Sequence, residues 1–274
     1  MTDQPPKPHR TPQETLLMAR RHLLRTALLI CLFAPLAVAA GIFGVRQGMV
    51  DYSFGQDLLT LKLAPQLAVA GGVLAILSFL LAVIIPPRTG KTLALFGLAL
   101  AAVTYSGVAK WKADTAKAPP IHDVATDWTD PLLFGATITS ARGLDANPAP
   151  ASPVVGEMSN DPALLGKPIS EINAATCPGA VPVVLTTSVE AAYAKAKAAL
   201  AAEGLVIVTE NPRALRLEAT ATTKWFGYKD DVIARIKPEG AGARIDLRSV
   251  RRTGVSDYGD NCARVTRLRA KLAK

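Results

Sequence analysis

The sequence predicts a membrane-anchored α+β protein: three transmembrane helices, then an antiparallel sheet of about four to five strands with two helices packed on one face. Three observations predict it. The stretches Thr26–Val45, Leu63–Pro86 and Thr92–Ala109 are apolar and carry no Asp, Glu, Lys or Arg. Each holds about 18 to 24 residues, enough at about 1.5 Å per residue to cross a hydrocarbon core of about 30 Å. Behind Lys110 charges resume throughout, and from Pro182 onward helical and alternating periodicities follow one another.

The organisation that follows is a disordered cytoplasmic arm (1–22), a three-helix anchor (23–110), an extended segment wrapping the soluble domain (111–182) and the α+β domain itself (183–274). The arm is Pro-rich and polar. The N-terminal flank of the first span carries Lys7, Arg10, Arg20, Arg21 and Arg25, whereas the loop Asp51–Lys62 sets one cation against Asp51 and Asp57. The turn Pro86–Lys91 holds Arg88 and Lys91 without an acid. The positive-inside rule then places the N-terminus in the cytoplasm and the C-terminal domain outside, in the periplasm if the host is Gram-negative, which makes this a multi-pass protein of the cell inner membrane. The same basic arm accounts for part of the net charge of +9, so nucleic acid is not among the expected partners. Arg20-Arg21 followed by an apolar run also reads as a twin-arginine signal with Ala37-Val38-Ala39 as a cleavage site; an uncleaved first helix is the simpler reading. Pro35 is expected to kink that helix. The small residues Ala37, Gly41, Gly71, Gly72, Gly97 and Ala101 serve close helix packing, within the bundle rather than between copies. No ionisable residue lies in the spans, which argues against a transport path.

The segment 113–182 carries apolar anchors, among them Ile121, Trp128, Leu132, Phe134, Ile169 and Ile172, that a free linker would not need. Val183–Leu185 reads as a strand. Thr187 and Glu190 have capping-box spacing ahead of a helix that buries Val189, Tyr193, Ala196 and Leu200 and ends at Gly204. Strands are expected at Leu205–Thr209, Ala214–Thr220, Lys229–Lys237 and Arg244–Val250. Leu215, Leu217, Ala219, Val232, Ala234, Ile236, Ile245 and Leu247 point inward. A hairpin through Pro238–Ala243 sets Ile236 opposite Ile245 and Arg235 opposite Asp246, a favourable cross-strand pair. A last helix, near Tyr258–Leu272, stacks Cys262, Val265, Leu268 and Leu272 on one face.

Pro120-Ile121-His122-Asp123-Val124-Ala125-Thr126-Asp127, the run from Leu217 to Val232 through Lys224-Trp225-Phe226-Gly227-Tyr228, Asp246-Leu247-Arg248-Ser249-Val250, Gly254-x-Ser256-Asp257 and Asn261-x-x-Arg264 resemble the DUF1499 family over about residues 119–272. The three-helix front resembles its membrane-attached bacterial members. The resemblance implies fold and boundaries and marks His122, Asp123, Asp127, Asp231, Ser256, Asp257, Asn261 and Arg264 as motif residues. It implies no activity, because the family's function is unknown. The positions of Cys177 and Cys262 depart from the pattern, where cysteine is not usual.

The chemistry-bearing residues are few. His122 with Asp123 and Asp127 forms the one cluster with any metal-like character, and turn-capping by Asp123 and Thr126 explains it as well; no metal and no cofactor are expected. His122 is also the one histidine beside the candidate thiols that a nucleophilic mechanism would need. Cys177 and Cys262 bracket one core in an oxidising compartment, either as a disulfide or as two buried thiols. Lys224, Trp225, Tyr228 and Lys229 form an aromatic, basic loop. It reads as a mouth for an apolar or anionic ligand, as a dip into a membrane surface, or as a cover over the core's end. Arg216, Glu218, Asp231, Arg235, Asp246 and Arg248 point away from the helix-covered face. That face is solvated by default, and becomes a buried ion-pair network if residues 121–134 pack on it. Arg248 and Arg251 are candidates for holding a carboxylate or phosphate, and Ser256 or Asp257 for capping the last helix. The function expected is that of an integral membrane protein presenting an extracytoplasmic binding or assembly domain. Its expected partners are the lipid bilayer and an envelope protein or a small anionic or lipid ligand. The alternative is an envelope enzyme acting on a small anionic or lipid-like substrate. Oligomeric state is not legible.

Overall fold

A computed structural model describes residues 11–156 and 161–274. The chain divides into two compact units, Met1–Lys112 and Ala113–Lys274.

The first unit is helical. Helix α1 (Pro12–Arg46) starts with a full capping box between Thr11 and Glu14, and Pro12 at its first turn needs no hydrogen-bond acceptor. Residues 11–22 are therefore not a disordered arm; the rest of that arm, 1–10, lies outside the described residues. The expected loop 51–62 is also a correction. It is a π-helix, Ser53–Leu63, running directly into α2 (Ala64–Ile84). The Asp51 carboxylate accepts from Ser53 Oγ and the Phe54 amide at its start, and Thr60 Oγ1 donates to the Gly55 carbonyl across the wide turn. Helix α3 spans Lys91–Thr115. Among the described residues three helices are thus long and apolar enough to cross a membrane: Pro12–Arg46, Ser53–Ile84 and Lys91–Thr115.

This unit packs small residues inward and large ones outward. Ala27, Cys31, Ala34, Ala68, Ala75 and Ala101 form its core, while Leu29, Phe33, Leu80 and Phe96 are about half exposed or more. A solvent of hydrocarbon accounts for that inversion. A side chain at Gly41 would collide with the Gly55 carbonyl. Arg20 is buried, and its guanidinium donates to the carbonyls of Ile85 (2.7 Å) and Pro87 (2.8 Å) and to Thr89 Oγ1 (3.0 Å). It thereby satisfies acceptors at the C-terminal end of α2, where a cation also suits the helix dipole.

The second unit contains β1 (Asp123–Ala125), α4 (Ala136–Arg142), a 3-10 turn (Pro162–Leu164), α5 (Ile169–Thr176), β2 (Val183–Leu185), α6 (Val189–Ala202), β3 (Val206–Asn211), β4 (Arg216–Thr222), β5 (Lys229–Glu239), β6 (Gly242–Arg251) and α7 (Asp260–Leu272). The six-stranded antiparallel sheet runs β1-β6-β5-β4-β3, with β2 also paired to β6. The segment expected to be extended thus supplies a strand and two short helices.

The β5/β6 register sets Ile236 against Ile245, Ala234 against Leu247 and Arg235 against Asp246. The hairpin is tighter than expected: Glu239 pairs with Gly242, and Gly240, at φ 54°, supplies the positive dihedral that a two-residue turn demands. A side chain at Gly242 would strike the Leu185 carbonyl, so this glycine permits β2 to pair closely. One face of the sheet carries Leu217, Ala219, Val232, Ala234, Ile236, Ile245 and Leu247 against α6 and α7, where Ala196, Leu200, Val265, Leu268 and Leu272 complete the core. Leu215 also packs against this core, though from outside the strand. It sits in the turn before β4 with φ 50° and is half-buried, so β4 begins at Arg216. The cap of α6 is Ser188, one residue after Thr187, and its Oγ accepts from the Ala191 amide.

Candidate functional site

The second face of the sheet is not solvated. Residues 126–150 lie across it, and the charges there are paired in the dry. Asp123, Asp231, Asp246 and Arg248 are all 0% exposed. Arg248 grips Asp123 through Nε (3.0 Å) and Nη2 (2.6 Å), and spends its remaining donors on the carbonyls of Leu132 and Pro150. Asp231 accepts from Arg142 (2.7 Å), from both ends of the Arg252 guanidinium and from Thr220 Oγ1. Glu218 accepts from Arg216 and from the Gly135 amide (2.7 Å). Towards the open end of the sheet Asp246 is shared by Arg235 and Arg244, and Arg244 also pairs with Asp127. The Asp127 carboxyl lies below its ordinary range. Burial opposes this, but hydrogen bonds from Thr129 and Asp130 and the charge of Arg244 outweigh it.

A second polar cluster closes the helix-covered face at the start of α7. Arg251 donates to Asp230 (2.8 Å) and Asp260 (2.6 Å). Arg264 donates to Asp230 (2.7 Å), to Asn261 Oδ1 (2.7 Å) and to Ser249 Oγ (3.0 Å). The carbonyl of His122 accepts from the Arg251 amide and from Asn261 Nδ2, which ties β1 to the cluster. Burial pulls the His122 imidazole below its usual range, against the charge of Asp123. Among the described residues no group of His, Cys, Asp and Glu has the arrangement of a metal site.

Asp257 stands apart in this cluster. It is buried, its Oδ1 accepts the Gly259 amide (2.6 Å), and its Oδ2 has no hydrogen-bond partner among the described residues. Burial pushes its pKa up to about 7, against the pull of Arg251 and of the Gly259 amide. Neither Asp257 nor Ser256 caps α7 as expected. The residue before that helix is Gly259 in a left-handed conformation, and the two side chains instead hold the turn ahead of it, Ser256 Oγ accepting from Tyr258 and donating to the Pro119 carbonyl. The pKa shift fixes a sign. With its folded pKa raised above the unfolded value of about 3.9, Asp257 contributes stability that is fully present below about pH 4 and is lost as pH rises to about 7. Asp257→Asn is expected to flatten that slope in denaturant titrations across the window. An unchanged slope would show that Asp257 is ionised when folded.

The structure therefore gives the sequence-predicted residues different fates. Arg248 and Arg251 are 0% and 1% exposed and already paired with Asp123 and with Asp230 and Asp260, so neither presents itself to a carboxylate or phosphate ligand. Asp123, Asp231, Asn261 and Arg264 are structural members of the two networks. Cys177 and Cys262 are joined, with their α-carbons 5.8 Å apart. Glu218 joins the network as the buried reading of the charged face expected, whereas Arg142, Asp230, Arg252 and Asp260 are members that sequence reasoning did not single out. The signal that marks them is the charge on both the sheet strands and the apolar-anchored segment that covers them.

The aromatic loop between β4 and β5 is built differently. Phe226 is buried, and its ring stacks on that of Tyr228 with centroids 5.5 Å apart. The Arg251 guanidinium lies 5.4 Å from the Tyr228 ring centre. Trp225 projects and is 64% exposed, with Lys224 Nζ 5.3 Å from its ring centre. Lys229 is exposed and donates to Thr222 Oγ1. The loop thus has an anchored root and an exposed aromatic tip flanked by cations.

In the comparison with protein families, the model described as "Protein of unknown function (DUF1499)" matches residues 123–272. No curated protein matches the chain.

Proposed function

We infer the function of this chain, which belongs to the DUF1499 family of proteins of unknown function, to be that of a membrane anchor presenting an extracytoplasmic binding or assembly domain. The observation that carries this reading is the contrast within the domain. Its arginines and carboxylates are mostly used up in buried pairs, while Trp225 stands 64% exposed on a stacked aromatic root. An exposed large aromatic beside cations is the chemistry of a contact surface. The orientation, N-terminus in and domain out, rests on the cations that flank the helices. The disulfide Cys177–Cys262 supports it, because such bonds persist in oxidising compartments.

A second reading, an enzyme acting on a small anionic or lipid-like substrate, draws on Asp257, whose pKa of about 7 suits an acid or base. Its carboxyl is sealed from solvent, which favours the first reading.

Trp225→Ala in the full chain, isolated from its native membrane, separates contact from core. A contact role predicts stability within about 0.5 kcal/mol of the parent, with loss of the lipid or protein that co-purifies. A drop of about 3–5 kcal/mol would make Trp225 a core residue and remove the docking reading.

A further inference from the structure

We propose that the β4–β5 loop docks on the surface of an anionic bilayer, with the Trp225 ring at the headgroup level and Lys224 and Lys229 against lipid phosphates. This rests on the reading of the loop as the domain's contact element and names its partner.

Three observations lead there. First, the geometry separates a rigid base from a free tip: Phe226 is buried and stacked on Tyr228, whereas Trp225 is exposed. Little conformational freedom remains to be lost on docking. Second, Thr222–Lys229 contains two lysines and no acid. An indole beside ammonium groups suits the membrane interface, where the ring has an apolar body and a polar N–H and the cations meet anionic headgroups. Third, the same chain carries three helices able to cross a membrane, which confines the domain to a bilayer surface. One indole and two lysines would hold a free domain only weakly. Tethering makes the contact intramolecular, and a weak element then suffices. The feature beside Trp225 is positive charge, which favours an anionic lipid surface over a protein partner.

The test uses the full chain reconstituted into vesicles whose acyl chains are brominated, a short-range quencher of indole. One set is phosphatidylcholine alone and the other is equal parts phosphatidylcholine and phosphatidylglycerol. The chain also carries Trp111 and Trp128, so the Trp225 signal is the difference between the parent and Trp225→Phe. We expect that difference signal to be quenched at least about twofold in the anionic vesicles, and less in phosphatidylcholine alone. Lys224→Glu with Lys229→Glu should relieve the quenching, while circular dichroism shows the fold retained. An unquenched Trp225 in anionic vesicles overturns the proposal. If Trp225→Ala nevertheless releases a co-purifying protein, the partner is a protein and the contact reading stands. If it releases nothing, both fail. Quenching that is equal in the two lipid sets, or indifferent to the lysine changes, removes the anionic surface as the partner.

Discussion

Arg248→Ala is expected to destabilise the soluble domain by about 3–5 kcal/mol, the cost of leaving a buried carboxylate without its partner. Arg248 is fully buried and draws together Asp123 on β1, the Leu132 carbonyl and the Pro150 carbonyl. Its guanidinium also lies 5.4 Å from the centre of the Trp128 ring. One side chain therefore holds three parts of the covering segment onto β6. Arg248→Lys should fail to rescue, because an ammonium cannot reproduce the forked pairing with Asp123 while also reaching two carbonyls. The informative control is Arg248→Met with Asp123→Leu. Replacing both charges by apolar groups removes the unpaired ion and should recover much of the loss. Denaturant unfolding of the parent, Arg248→Met, Asp123→Leu and the double variant measures the coupling. Additive losses would mean that the two side chains do not depend on each other.

Breaking Cys177–Cys262, by reduction or by a double serine variant, is expected to cost about 4–5 kcal/mol from the released loop, since 85 residues separate the two cysteines. The bond ties the end of α5 to the first turn of α7, beside Asn261 and Arg264 of the polar cluster. Its loss should therefore loosen α7 before the sheet, which amide exchange would resolve as early opening of 260–272. Equal stability before and after reduction would show that the bond carries no weight.

What was legible in the sequence follows from how strongly each pattern is specified. The β5/β6 register is readable because one face alternates apolar residues and a slip of one residue would bury Arg244 or Asp246 in the core. Strand β1 is not readable: all three of its residues are buried, so no alternation marks it. Burial of the second sheet face is equally hidden. Arg248 and Asp231 look the same in a sequence whether water or protein covers them, and the cover comes from Leu132, Ile138 and Arg142, more than 80 residues away from β5 and β6. The π-helix over 53–63 uses the same residue types as an α-helix or an apolar loop. The α6 cap moved from Thr187 to Ser188 because two adjacent hydroxyl residues both satisfy the local pattern. The disulfide stayed open because a spacing in sequence does not give a distance between α-carbons. Of the candidate site, the loop composition was visible. That Phe226 would form its root and Trp225 its tip depended on which ring the core admitted.

The presentation of this domain outside the cytoplasm is tested most directly by reporters fused after Lys274. Alkaline phosphatase, which needs an oxidising compartment to form its own disulfides, is expected to be active there, and a cytoplasmic reporter at the same position silent. A silent phosphatase with an active cytoplasmic reporter would place the disulfide-bonded domain inside and contradict the orientation on which the proposed function depends.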